Sequence, residues 1–252
     1  MSIATSTSPI QPQPGLIGQT VVVIGGTSGI GLETARRARA EGAKLILAAR
    51  NPERLEQASR ELGTLSTSAF DATNFDQLKS FFDGLPALID HVLVTGPGPY
   101  YSTLADFDVE KARRDVDAHL FLPMEVARFA AKKVRPGGTL LFMGGTGGRR
   151  RAAGALINAL TAAMPALTRA LALEVAPVRD NLMAAGFVDT PLSESLLGDE
   201  LDARRAQLRA TLPIRRVIGP ADIAALAVHL MINTALTGGT YDIDGGEQLV
   251  EG

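Results

Sequence analysis

Apolar positions along the chain fall into two alternating periods. Short runs of β-branched and leucine residues read as buried strands, and the longer stretches between them repeat at helical spacing. Thr20 to Ile24 opens the series and a helix follows over 29–41, ending at Glu41-Gly42. Lys44 to Ala49 is the second strand, and Pro52 suits the first turn of the helix after it. Ser66 to Phe70 is a weaker third strand, followed by a helix over 74–83 and the apolar run His91 to Thr95. Gly96-Pro97-Gly98-Pro99 breaks the chain sharply. One long helical pattern from Val109 to Val134 then stops at Pro136-Gly137-Gly138. Thr139 to Met143 is a fifth strand, 155–176 a second long helix, and Leu182 to Ala185 a sixth strand. Residues 194–210 are charged and amphipathic, Asp222 to Met231 is helical, and a short strand within 239–246 closes the chain.

Strict alternation of strand and helix predicts an α/β fold with a single doubly wound parallel sheet, flanked by helices on both faces. No linker-like composition interrupts it, so one domain is expected over 16–252. Residues 1–15, made largely of Ser, Thr, Pro and Gln, read as a disordered tail. In such sheets ligands bind beyond the strand C-termini. The breaks after residues 24, 95, 143 and 185 all fall there, which predicts that they converge on one cleft.

Composition narrows the chemistry. The 252 residues are 46% hydrophobic and 21% charged with a net charge of −2, which gives no reason to expect a nucleic-acid or membrane partner. The absence of cysteine excludes disulfides, thiolate metal sites and cysteine nucleophiles. His91, His119 and His229 are too scattered for a metal site, so no metal is expected. No segment reads as about 20 uninterrupted apolar residues. The tail has neither a basic start nor an apolar core, so a cytoplasmic location is expected.

The stretch from Val21 to Glu33 carries the clearest chemical signal. A buried strand enters a glycine cluster, Gly25-Gly26-Thr27-Ser28-Gly29-Ile30-Gly31, that opens a helix. Glycines let a backbone approach a ligand, and the free N–H groups and positive dipole end of the helix suit a pyrophosphate. Gly25, Gly29 and Gly31 match the Thr-Gly-x-x-x-Gly-x-Gly turn of the short-chain dehydrogenase/reductase family, with Ile24 in place of the threonine. Leu16-Ile17-Gly18-Gln19, Asp71, the helix run from Leu167 to Pro177, Gly186-Phe187-Val188-Asp189-Thr190 and Asp244-Gly245-Gly246 match further family positions in order. From about residue 16 to the end the chain resembles that family, which implies a Rossmann fold and a nicotinamide dinucleotide cofactor. The resemblance places cofactor contacts at Gly25, Thr27, Ser28, Gly29, Ile30, Gly31, Arg50, Asp71, Gly96, Gly186, Val188 and Thr190. At the end of the second strand Ala48-Ala49-Arg50 offers a guanidinium where an NAD-selective site carries an acid, which points to NADP(H).

The family's catalytic residues do not carry over. By register with the long helix, the tyrosine position is Ile157 and the lysine position Thr161, while the serine position is Gly144 and the asparagine position Asp117. The tyrosines are Tyr100, Tyr101 and Tyr241, so none lies between 102 and 240. Asp117 and a Tyr100 or Tyr101 hydroxyl are the candidate replacement donors. His119, two residues from Asp117, reads as structural, Thr146 as a local turn former, and Arg149-Arg150-Arg151 as a solvated charge run or an attractor of anionic substrates. The expected function is an NADP(H)-dependent carbonyl/alcohol oxidoreductase with a non-standard proton donor. The alternatives are an inactive NADP(H)-binding sensor or partner subunit and, third, a non-redox lyase. Small residues on the second long helix, Ala159, Ala162, Ala163 and Ala166, predict a homodimer or homotetramer through the two long helices.

Overall fold

The computed structural model describes residues 15–149 and 154–250. The expected tail up to Pro14, together with Arg150 and Arg151, lies outside the described residues. Gly15 is tied down, its N–H donating to Glu41 Oε2 at 3.0 Å.

The elements alternate as β1 (Thr20–Ile24), α1 (Gly29–Ala40), β2 (Lys44–Ala49), α2 (Pro52–Leu62), β3 (Ser66–Ala69), α3 (Phe75–Gly84) and β4 (Ile89–Val94). They continue with α4 (Val109–Val116), a π-helical turn over Asp117–Phe121, α5 (Leu122–Ala130), β5 (Val134–Gly145) and α6 (Ala155–Glu174). The series ends with β6 (Arg179–Ala185), α7 (Pro191–Leu197), α8 (Leu201–Thr211), α9 (Pro220–Ile232) and β7 (Thr240–Ile243). The strands form one seven-stranded sheet in the order β3-β2-β1-β4-β5-β6-β7, and its pairings are parallel. The order reverses between β1 and β4, so the crevice above that pair is where a doubly wound sheet binds its ligand.

Period-two alternation sends the two halves of each strand into separate cores. Val21, Val23, Leu45, Leu47 and Leu93 pack with Ala35 and Ala38 of α1 and with Ile223 and Ala227 of α9. Val22, Ile24, Ile46, Val92 and Phe142 face the other way, toward Phe82 of α3, Val126 of α5 and Met164 of α6. Strands buried on both sides explain why their sequences read as continuous apolar runs rather than as alternation.

Three expected elements differ. The long helix over 109–134 is interrupted by the π turn and ends at Ala130. Pro136-Gly137-Gly138 lies inside β5, where the register with β4 shifts between Ile89 and His91, and Val134 already pairs with Ile89. The amphipathic stretch over 194–210 is two helices, divided near Gly198, whose φ is +50°. The helix α6 has the length and mean hydropathy, 1.4, of a membrane span. Ile157, Leu160, Met164 and Leu171 on it are buried in the fold, as in the core helix of a folded domain.

Candidate active site

The four glycine-rich breaks do converge. Above the β1–β4 switch point a single cleft opens as an outer cavity of about 660 Å³ and an inner cavity of about 270 Å³. Ile30, Thr95, Gly96, Pro97, Thr190 and Leu192 border both, so the two are continuous.

The outer cavity is built on the β1–α1 turn. Gly25 has φ +90°, and a Cβ there would come 2.1 Å from Thr95 Oγ1. The Thr95 hydroxyl lies 3.2 Å from the Ile24 carbonyl and 3.3 Å from that of Gly25, tying the end of β4 to the turn. Ser28 caps α1 without a side-chain hydrogen bond, and the first turn holds no acid. The first N–H groups of an α-helix have no intrahelical acceptor, and the residues at the start of this one border the cavity. Thr27, Ser28, Gly29 and Ile30 line it; Gly31 lines neither cavity and instead packs beneath the turn, where a Cβ would lie 2.2 Å from the Gly25 carbonyl oxygen.

Arg50 and Asp71 lie at the far end of this cavity, next to Arg54, which sequence reasoning passed over. Both arginines are exposed, and no ion pair links either to an acid among the described residues. Asp71 accepts from the N–H and hydroxyl of Thr73 at 3.0 and 2.8 Å. Lys111 and Arg114 of α4 add two further cations on the opposite wall.

The inner cavity is apolar. The family's expected tyrosine, lysine and serine positions, Ile157, Thr161 and Gly144, all line it, beside Met164, Phe187 and Leu196. Pro165, one turn after Thr161, has no N–H to return to the Thr161 carbonyl. Gly186, Val188 and Thr190 border the cavity on the β6–α7 segment. Glu247 fixes that segment by accepting from the Phe187 N–H at 3.0 Å, and Arg205 grips Asp189 at 2.9 and 2.7 Å. Thr190 caps α7 and reaches the start of α1, 3.5 Å from the place a Gly29 Cβ would take. Leu192 of α7 lies over the opposite rim, 3.0 Å from a Cβ built at Gly98.

The candidate donors separate. Asp117 borders the outer cavity, at the start of the π turn. The Tyr100 hydroxyl is occupied within its own loop, accepting from the Asp108 N–H at 2.9 Å and lying 3.2 Å from the Asp106 carbonyl. Tyr101 lines the inner cavity while 55% exposed; desolvation of its covered part first, then the charges of Asp115 and Glu247, push its phenol above the ordinary value. Thr146 is buried against the Ala185 carbonyl, a local bond between β5 and β6. Arg149 pairs with Asp242 and donates to Gln248 Oε1 at 2.9 Å, so the chain's own C-terminal region takes up its charge.

His119, read from sequence as structural, also lines the inner cavity. Its Nδ1 lies 3.0 Å from both Asp115 Oδ1 and the Asp115 carbonyl oxygen. Asp115 Oδ1 accepts the Tyr100 N–H at 3.1 Å, while Oδ2 is buried without a partner among the described residues. Burial acts to depress the imidazole, but the Asp115 hydrogen bond and charge, with the Asp115 and Pro97 backbone, outweigh it and raise its pKa. The signal was the Asp115-x-x-x-His119 spacing, which puts the pair on one helix face.

Comparison with known proteins agrees with this geometry. Residues 24–248 match a family model described as enoyl-(acyl carrier protein) reductase. The short-chain dehydrogenase/reductase ATR9 of Stachybotrys chlorohalonatus is 28% identical over 92% of this chain and 98% of its own. The solved structure of MalC reductase/Diels-Alderase from Malbranchea aurantiaca superposes with a TM-score of 0.82 at 25% identity, covering 94% of this chain and 99% of that one. A small-chain dehydrogenase solved in complex with NADPH gives 0.79 at 28% identity, covering 92% and 99%.

Proposed function

The chain belongs to the short-chain dehydrogenase/reductase family, and from that premise we propose that it is an NADP(H)-dependent oxidoreductase that reduces the carbonyl of a neutral, apolar substrate without the family's tyrosine donor. The observation that carries this reading is the division of one cleft into a cation-rich outer cavity and an apolar inner one.

The residues present fit a nicotinamide dinucleotide phosphate. Gly25 lines the outer cavity in a turn too close to Thr95 for any Cβ, and the start of α1, without a side-chain cap, offers N–H groups to a pyrophosphate. Arg50 and Arg54 are free to bind a 2′-phosphate, and Asp71 stands beside them for the adenosine end. Support for the phosphorylated cofactor also comes from the similar dehydrogenase solved with NADPH. When bound, the cofactor supplies a hydride. The chain's part is to orient an apolar carbonyl compound between Ile157, Met164, Phe187 and Leu196, exclude water from it, and deliver one proton to its oxygen. Because Ile157 offers no proton and Thr161 no positive charge, that delivery must come from another wall of the cavity.

The test is a screen of NADPH oxidation against neutral apolar ketones, aldehydes and quinones, with carboxylated analogues for comparison. Turnover of the neutral compounds is expected, with the analogues slower. Tight NADPH binding without turnover would instead favour a cofactor-binding sensor or partner subunit, a reading that Ile157 and Thr161 support. An apolar cavity also suits a non-redox reaction of the kind named for the similar Diels-Alderase. Product formation independent of added NADPH would establish that reading. Phe121, Met124 and Leu173 expose apolar surface on the long helical segments, supporting a homodimer or homotetramer, which light scattering tests.

A further inference from the structure

We infer that His119, held by Asp115, is the proton donor to the substrate oxygen, so that a carboxylate–imidazole pair on the α4 side of the cleft replaces a hydroxyl donor on α6. The inference rests on the reductase reading above. His119 and Tyr101 are the titratable side chains lining the inner cavity among the described residues. Of the hydroxyls there, Thr95 faces the Ile24 and Gly25 carbonyls, Thr190 and Ser193 close the α7 cap on each other, and Thr161 is an aliphatic alcohol with no charged neighbour on α6 to make it an acid.

His119 is built as a donor. Its side chain is 17% exposed and that of Asp115 3%; the imidazole lines the inner cavity, while Asp115 borders only the outer one. Engaging Nδ1 with Asp115 fixes the ring and turns Nε2 to the Gly96-Pro97 wall, 3.8 Å from a Cβ built at Gly96, where the Pro97 backbone helps hold the ring's proton and a substrate oxygen must take its place. The π turn over Asp117–Phe121 begins two residues after Asp115, and such wider turns recur at functional sites. Asp115 Oδ2, buried and unpaired, favours a cationic ring beside it. The charged and titratable groups around the ring are Asp115 from α4 and Tyr101 from the loop after β4; the α6 residues lining the cavity there, Ile157, Leu160, Thr161 and Met164, carry none. General acids work best with a pKa near the working pH. His119 is raised from an ordinary value of 6.5, and Tyr101 is raised from an ordinary value of 10.0, further from the range in which a general acid works.

In the step, the carbonyl carbon gains a hydride from the reduced nicotinamide dinucleotide and the C=O π pair moves onto oxygen. The His119 Nε2–H bond breaks, an O–H bond forms, and neutral imidazole remains to be reprotonated from solvent. Asp115 is a positioning residue that acts through His119.

The experiment compares wild-type protein with His119→Gln, Asp115→Asn and Tyr101→Phe, by steady-state kinetics across pH, NADPH titration, and NMR titration of the His119 ring in ligand-free protein. His119→Gln should lower kcat by about a hundredfold or more while NADPH affinity and melting temperature are kept. Wild-type kcat should fall as pH rises through the His119 pKa measured by NMR. Asp115→Asn should lower that pKa and carry the kcat break down with it. Full kcat in His119→Gln, a His119 pKa indifferent to Asp115→Asn, or loss of turnover confined to Tyr101→Phe would overturn the assignment while leaving the reductase reading intact. A wild-type protein that binds NADPH but reduces no carbonyl would overturn both.

Discussion

A Cβ at Gly31 would lie 2.2 Å from the carbonyl oxygen of Gly25, so the first turn of α1 rests directly on the backbone it follows. Gly31 holds the cradle closed from below and has no free surface toward a ligand. Gly31→Ala must push α1 away from β1, an overpacking that costs about 1–3 kcal/mol. For a chain of this size the melting temperature should fall by about 2–4 °C per kcal/mol. NADPH binding should weaken in parallel, since the helix N-terminus moves. Calorimetry and a fluorescence titration check both; unchanged affinity in a destabilised variant would show that the N–H groups of α1 do not hold the cofactor.

Arg50 and Arg54 face the outer cavity without acidic partners. A charge-assisted hydrogen bond contributes about 1.5–3 kcal/mol, so each substitution to alanine should raise the NADPH dissociation constant about tenfold or more. NADH binding should stay the same, and added salt should weaken NADPH binding less in the variants than in wild type. Equal losses for both cofactors would remove the 2′-phosphate from the assignment.

Much of this site is legible in the sequence, and the exceptions share a cause. Strand ends and glycine breaks announce themselves because a buried parallel strand is a continuous apolar run and a tight turn has few alternatives to glycine. The π turn leaves no such mark. Val109 to Val134 keeps an unbroken helical pattern, yet a wider turn at Asp117–Phe121 rephases which side chains face the cleft. Measured from Asp117, His119 belongs to another face; measured from Asp115, four residues back, it is a partner. Arg54 escapes notice for a similar reason, since only the fold of α2 brings it beside Arg50.

Leu196 lines the inner cavity while remaining 53% exposed, so it has apolar surface still to bury when a substrate enters. Leu196→Ala should raise KM for an apolar carbonyl compound about tenfold, from about 1–2 kcal/mol of lost burial. Its kcat should change little, because Leu196 makes no polar contact with a reacting atom. A KM-against-kcat split measured with two substrates of different apolar bulk checks this, and a loss confined to kcat would count against α7 as the substrate cover.

Two buried groups at the far side of the sheet should shape stability against pH in opposite directions. His91, desolvated and near Arg179 and Arg135, has its pKa lowered from 6.5 to about 3, with Nε2 engaged to Gln19 Oε1 at 2.6 Å. Between those values the unfolded chain takes up a proton that the folded protein does not, so the His91 contribution is full above pH 6.5 and is lost toward about 3. Asp180, fully buried with both carboxylate oxygens unpartnered, is pushed up by desolvation from 3.8 to about 8. There the folded protein retains a proton the unfolded chain has released, so its contribution is full below pH 3.8 and is lost as pH rises to about 8. The two opposing slopes cancel over the range they share, from 3.8 to 6.5, and above 6.5 the Asp180 loss stands alone. Asp180→Asn, which keeps the shape without the charge and leaves His91 in place, should match wild type below pH 3.8 and overtake it by about 1.4 kcal/mol per pH unit from there to pH about 8. Urea unfolding at pH about 5, 7 and 8 measures it, and a difference constant across pH would mean that Asp180 ionises in the folded protein as freely as in the unfolded chain.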